Sequence, residues 1–204
     1  MSNDTNLGDF ELDALREIGN IGAGHAATSL SHVLDRKILI DVPNIKIVPL
    51  VKLPEQAADR VEEPVTAVYV RITGDITGTT LFLLSSESAR RIASVLLNDG
   101  ENSIHLSRKG KNLLNRIGGI MVSSYLNALA MFTGLRVVAT EPSFAFDMAG
   151  ALVEAVAIEL DLEAEVGIVV ETRFVDDDEE VDGRIVFLPT PKSLGSILAK
   201  IGVY

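Results

Sequence analysis

Leu15-Arg-Glu-Ile-Gly-Asn-Ile21 and Leu114-Asn-Arg-Ile-Gly-Gly-Ile120 are two versions of one heptapeptide, set 99 residues apart. The same interval carries Pro43 onto Pro142. Each proline is expected just after a strand, the β-branched, apolar run Lys37-Ile-Leu-Ile-Asp-Val42 before the first and Arg136-Val-Val-Ala-Thr-Glu141 before the second. Further along, Gly78-Thr-Thr-Leu-Phe-Leu-Leu84 is echoed by Gly183-Arg-Ile-Val-Phe-Leu-Pro189, and Ser88 by Ser193, at an interval of 105. The six extra residues are expected in the acidic stretch Asp176–Asp182, read as a solvated hairpin turn, because hairpin loops tolerate insertion. Self-similarity at a fixed interval governs the whole architecture. The chain therefore reads as a single domain over residues 1–204 made of two fused repeats, about 9–98 and 106–202, each running long helix, strand pairs, short helix.

Periodicity supplies the elements. Residues 9–34 and 106–133 have helical spacing. Val65–Ile72 and Thr79–Leu84, rich in β-branched and aromatic residues and separated by Gly74-Asp-Ile-Thr-Gly78, predict a hairpin. In the second copy, Leu152–Leu162, Val166–Phe174 and Arg184–Leu188 are expected to repeat that meander as strands. Ser86–Asn98 and Pro191–Ile201 predict closing helices, the second with proline near its start. Strands joined by hairpins imply an antiparallel sheet, and the helices must lie on its faces. The expected fold is mixed α/β (α+β), internally duplicated and pseudo-two-fold, with the long helices on display.

Composition removes several classes of function. The absence of cysteine excludes disulfides, thiolate metal sites and cysteine nucleophiles, and suits a reducing cytoplasm. A net charge of −11 opposes binding to nucleic acid or anionic lipid, both of which rely on lysine and arginine to neutralise phosphates. The longest apolar stretch, Ile117–Phe132, is interrupted by glycine, serine and asparagine and falls short of a membrane span, so no membrane insertion is expected. The polar, acidic start Met1-Ser-Asn-Asp-Thr5 is unlike an export signal. His25, His32 and His105 are scattered without metal-ligand spacing.

The first long helix carries a polar stripe. At 100° per residue, Asp13, Glu17 and Asn20 fall within roughly 60° of one another, opposite Leu12, Leu15, Ile18 and Ile21. A charged stripe on a helix is often only a solvated face. Here it runs beside Gly19, Gly22 and Gly24, each costing a helix about 1 kcal/mol relative to alanine. A close-packed helix crossing would account for them, and so would close approach of another molecule's backbone. A phosphate-cradling loop would not, since the spacing is wrong and the glycines follow a helix rather than a strand.

Asp13-x3-Glu17-x2-Asn20-x22-Pro43, set in Leu15-Arg-Glu-Ile-Gly-Asn-Ile-Gly-Ala-Gly-His25, resembles the signature of the CheC/CheX/FliY family of chemotaxis response-regulator phosphatases, and the repeat extends the resemblance over essentially the whole chain. The resemblance implies hydrolysis of the aspartyl phosphate on a CheY-like receiver, with Glu17 and Asn20 as the catalytic pair and Asp13 and Pro43 in support. It implies no cofactor of the chain's own, Mg²⁺ supplied by the receiver, and CheD as a second partner. In the second copy Asn112 replaces Asp13, Arg116 replaces Glu17 and Gly119 replaces Asn20, while Pro142 is kept. An arginine cannot serve as a carboxylate and glycine has no side chain, so this second site is expected to be degenerate. The loss of one site leaves a rival reading open, a non-catalytic binding module for CheY-P or CheD.

Overall fold

Thr79-Thr-Leu-Phe-Leu-Leu84 lacks the polar alternation of a strand with one wet face, and it lies at the centre of the molecule. In the computed structural model, which describes residues 9–97, 106–159, 165–176 and 179–202, this segment is β3 (Gly78–Ser85), buried along nearly its whole length. It belongs to a seven-stranded sheet with β1 (Leu39–Pro49), β2 (Pro64–Gly74), β4 (Val137–Ala139), β5 (Ser143–Met148), β6 (Val166–Asp176) and β7 (Glu179–Pro189). The order is β1-β6-β7-β3-β2-β4, with β5 also on β2, and every pairing is antiparallel. At the centre Leu81 faces Val186, with Thr80 facing Phe187 and Phe82 facing Ile185. Leu81 and Val186 are separated by the 105-residue interval of the repeat, and the same interval carries Thr80 onto Ile185 and Phe82 onto Phe187, so the two flanking pairs exchange and the local two-fold passes between Leu81 and Val186.

The pleat sends alternate residues to two cores. Val68, Val70, Ile72, Phe82, Ile168 and Ile185 point to one face, which is covered by the long helices α1 (Asp9–Leu34) and α4 (Arg108–Thr133) with α3 (Ser86–Leu97) and α6 (Pro191–Lys200). Ala67, Leu81, Leu83, Val169 and Val186 point to the other, where α2 (Leu53–Ala57) and α5 (Ala149–Glu159) close a smaller core. Caps follow from local chemistry. Gly110 N–H donates to Ser107 Oγ at 3.1 Å at the start of α4, and Gly134, at φ 69°, ends it.

Three expectations need correction. Residues 149–159 form helix α5, not a strand, and residues 160–162 of the expected strand lie outside the described residues. The buried positions Ala149, Val153, Val156 and Ala157 recur at helical spacing, and the segment's alanines favour helix. Pro43 does not follow a strand; it sits inside β1, which continues to Pro49. The acidic stretch is mostly strand, since β6 runs to Asp176 and β7 begins at Glu179, and the turn expected between them falls on residues 177–178, outside the described residues. The short α2 and the strand β5 add elements that the periodicity did not single out.

Candidate functional site

Leu15 and Ile18 anchor α1 in the larger core, and this turns Asp13, Glu17 and Asn20 to solvent on the opposite side. The helix is held at a fixed depth by its crossing with α4. A Cβ on Gly22 would stand 3.0 Å from both Tyr125 Cα and Tyr125 Cγ, tighter than an ordinary contact, so glycine lets the two backbones approach without displacing Tyr125. Gly19 likewise faces Ile45 and Val42 of β1, whereas Gly24 looks into open space. Close packing thus accounts for Gly22 at the crossing and for Gly19 against β1, and leaves Gly24 without an internal reason.

Within the stripe, Arg16 Nη1 donates to Asp13 Oδ1 at 2.7 Å. Asp13 therefore engages Arg16. Among the described residues neither Glu17 nor Asn20 has a hydrogen-bond or ion-pair partner in the chain. An exposed carboxylate and an exposed carboxamide, three residues apart on a rigid helix, leave one acceptor for a cationic group and one donor–acceptor amide for water or an oxygen ligand.

Pro43 is exposed on the edge strand, in a bulge that sets Val42 and Pro43 between the Asp41–Arg173 and Asn44–Glu171 pairs. A proline is tolerated there because an edge strand can spare one N–H. It is tied to the stripe through its neighbours Val42 and Ile45, which face Gly19. It also borders a cleft of about 410 Å³, whose charged side chains are largely satisfied within the fold. Arg184 meets Asp59 at 2.6 Å, Arg173 meets Asp182 at 3.2 Å and Lys46 meets Glu171 at 2.7 Å.

The second copy has a different surface. Asn112 and Arg116 are exposed on α4, but Gly119 is buried, and a Cβ there would lie 2.8 Å from Pro142 Cγ. Asn115 Nδ2 donates to the Pro142 carbonyl at 3.3 Å, fixing the proline over the helix. An open groove of about 580 Å³ remains, lined by amides and hydroxyls including Asn112, Ser123 and Asn127, with Arg116 and Glu141 as its charged groups. In this copy the position matching Asn20 is closed to a larger side chain, a point that the sequence carries only as a glycine opposite a proline.

His25 and His32 are exposed on α1, and His105 lies outside the described residues. Among the described residues no three His, Cys, Asp or Glu side chains converge as a metal site, and no helix is long and apolar enough to cross a membrane.

Comparison with known proteins places this arrangement. The CheC-like family model matches residues 10–47, the span holding the stripe and Pro43. The chain is 31% identical over 200 residues to the CheY-P phosphatase CheC of Bacillus subtilis (strain 168), covering 94% of each. It is 32% identical over 124 residues to the flagellar motor switch phosphatase FliY of the same organism, but that match covers 57% of this chain and only 32% of FliY. Among solved structures, Thermotoga maritima FliY superposes with a TM-score of 0.74 at 19% identity, covering 96% of this chain and 98% of that one. The FliM middle domain from H. pylori superposes with a TM-score of 0.68 at 15% identity, covering 95% and 99%. The structural matches show a shared fold, and with a full-length relative at 31% identity the chain belongs to the CheC-like family.

Proposed function

We propose that this protein is a protein aspartyl-phosphate phosphatase that dephosphorylates a CheY-like response regulator through Glu17 and Asn20. The observation that carries the reading is the unpartnered, outward-facing pair on α1, in a chain whose full-length relative is named a CheY-P phosphatase. An aspartyl phosphate is a reactive acyl phosphate, so the catalyst's task is to place water in line with phosphorus. The water oxygen bonds to phosphorus, the bond from phosphorus to the receiver carboxylate breaks, and the water's proton leaves with the phosphate. Asn20 holds that water by hydrogen bonds from a fixed helix position, and no strong base is required. Glu17 docks the receiver by pairing with a cationic side chain beside the phosphoryl group. Pro43 shapes the strand against which α1 is set. Mg²⁺ would be supplied by the receiver, where it would neutralise charge on the phosphoryl oxygens, and CheD engages a face other than the stripe.

The rival reading, a binding module for CheY-P or CheD without turnover, is favoured by Arg116, Gly119 and the overlying Pro142, which leave one of two copies without the required groups. Phosphate release from a phosphorylated CheY-like receiver separates the two. Asn20→Ala is expected to lower turnover by about tenfold or more while binding of a receiver carrying a stable phosphoryl mimic survives. Glu17→Ala is expected to weaken binding as well. Near-normal turnover in Asn20→Ala would refute the assignment, and tight binding with no release by the unaltered protein would establish the rival.

A further inference from the structure

Four positions on the α1 surface differ together from their α4 counterparts. Asp13, Arg16, Glu17 and Asn20 are matched by Asn112, Asn115, Arg116 and Gly119. Glu17 and Asn20 carry the proposed chemistry. The other two form the ion pair at 2.7 Å, with Arg16 and Asp13 side chains 47% and 70% exposed, and at that exposure its worth to folding is small. Its loss alongside the chemical groups calls for a reason other than stability.

Arg16 lies four residues before Asn20, the spacing at which helix side chains meet. A guanidinium presents five N–H donors and no acceptor, and the carboxamide oxygen of Asn20 is an acceptor within that range. Asp13 lies three residues in the other direction and offers a charged oxygen. A charge-assisted bond is roughly twice as strong as one to a neutral acceptor, and the guanidinium is found on Asp13. In α4 neither the competing cation nor the amide exists at these positions, and Asn115, in the place of Arg16, bonds the Pro142 carbonyl instead.

We propose that Asp13 is a positioning residue that acts through Arg16: its carboxylate holds the guanidinium off Asn20 and so keeps the carboxamide open to water. The inference rests on the reading of Asn20 given above. Asp13→Ala releases Arg16 toward Asn20, and kcat for phosphate release falls about threefold, the scale of one exposed side-chain interaction, with KM unchanged. The double variant Asp13→Ala/Arg16→Ala is then faster than Asp13→Ala alone, because the competing donor is gone. Asp13→Glu, which still reaches Arg16, retains kcat.

The experiment is steady-state phosphate release from a phosphorylated CheY-like receiver by these variants and by Asn20→Ala, with thermal melts to establish that each is folded. A double variant no faster than Asp13→Ala, an unchanged kcat in Asp13→Ala, or a loss confined to KM would overturn the inference. Full turnover in Asn20→Ala would instead overturn the underlying reading of the site. An inactive Asn20→Ala beside a normal Asp13→Ala would leave that reading standing and remove only the role of Asp13.

Discussion

Gly22 and Gly24 occupy the same helix, two residues apart, and alanine is expected to move stability in opposite directions at the two positions. In a helix interior, alanine in place of glycine is worth about 1 kcal/mol. At Gly24 nothing lies within 4 Å of the added Cβ, so that gain is realised. For a domain of this size it raises Tm by about 2–4 °C. At Gly22 the same gain is opposed by a Cβ set 3.0 Å from Tyr125 Cα, a backbone atom that retreats only if the two long helices separate. Overpacking of this kind costs about 1–3 kcal/mol. The balance is a loss of up to about 2 kcal/mol, so Gly22→Ala lowers Tm. Calorimetric or circular-dichroism melts of the two variants beside the unaltered protein decide the matter. An equal rise in Tm for both would refute the reasoning, because it would mean that the α1–α4 crossing has room the geometry denies. Gly24 also lies four residues beyond Asn20, on the proposed docking stripe. If its glycine is there to admit the receiver, the stabilised Gly24→Ala variant shows a raised KM for the phosphorylated receiver. An unchanged KM assigns it no part in docking.

Burial raises the hydroxyl pKa of Tyr125 above its ordinary value of 10, and the hydroxyl has no hydrogen-bond partner among the described residues. The folded state thus favours the protonated phenol. The stability tied to it is fully present below pH 10 and is lost as the pH rises further, because the unfolded chain ionises first. Tyr125→Phe is expected to match the unaltered protein within about 1 kcal/mol at neutral pH and to lose less stability in urea unfolding above pH 10; parallel alkaline curves would show that the hydroxyl is not held protonated by the fold. In an Asn20→Ala background, Arg116→Glu with Gly119→Asn is expected to leave turnover at background and to destabilise the chain by about 1–3 kcal/mol, since the new Cβ meets Pro142 Cγ at 2.8 Å. Recovery of phosphate release in that protein would show that the second copy is closed only by its missing side chains.

The duplication was legible because both intervals fall on residues whose type the fold needs: Gly19 and Gly118, where each long helix lies against a strand, and the apolar runs of β3 and β7. The polar stripe was legible because helical geometry alone brings Asp13, Glu17 and Asn20 onto one face. Residues 149–159 were not, since short runs of valine, alanine and isoleucine suit a buried strand or a buried helix equally, and the choice is made by the packing of α5 beside α2. The placement of Pro43 within β1 was hidden for a similar reason, because a bulge at an edge is a tertiary accommodation. Whether Asp13 holds Glu17 or Arg16 depends on rotamers that spacing leaves open. The lack of room at Gly119 comes from its contact with Pro142, which no local pattern announces.

The strand pairing has a further consequence for the copy that lacks counterparts of Glu17 and Asn20. β1, from the first half, lies on β6 of the second, while β4 and β5, from the second half, lie on β2 of the first. Each half lends its leading strands to the other, so deletion of either would strip a border from the remaining sheet and expose its unpaired N–H and C=O groups to aggregation. Selection on such a chain can alter the outward surface of one half while the half itself stays indispensable. On the proposed reading the second copy is retained as architecture, and its outward surface is free to change on a separate evolutionary course from that of the Glu17/Asn20 face.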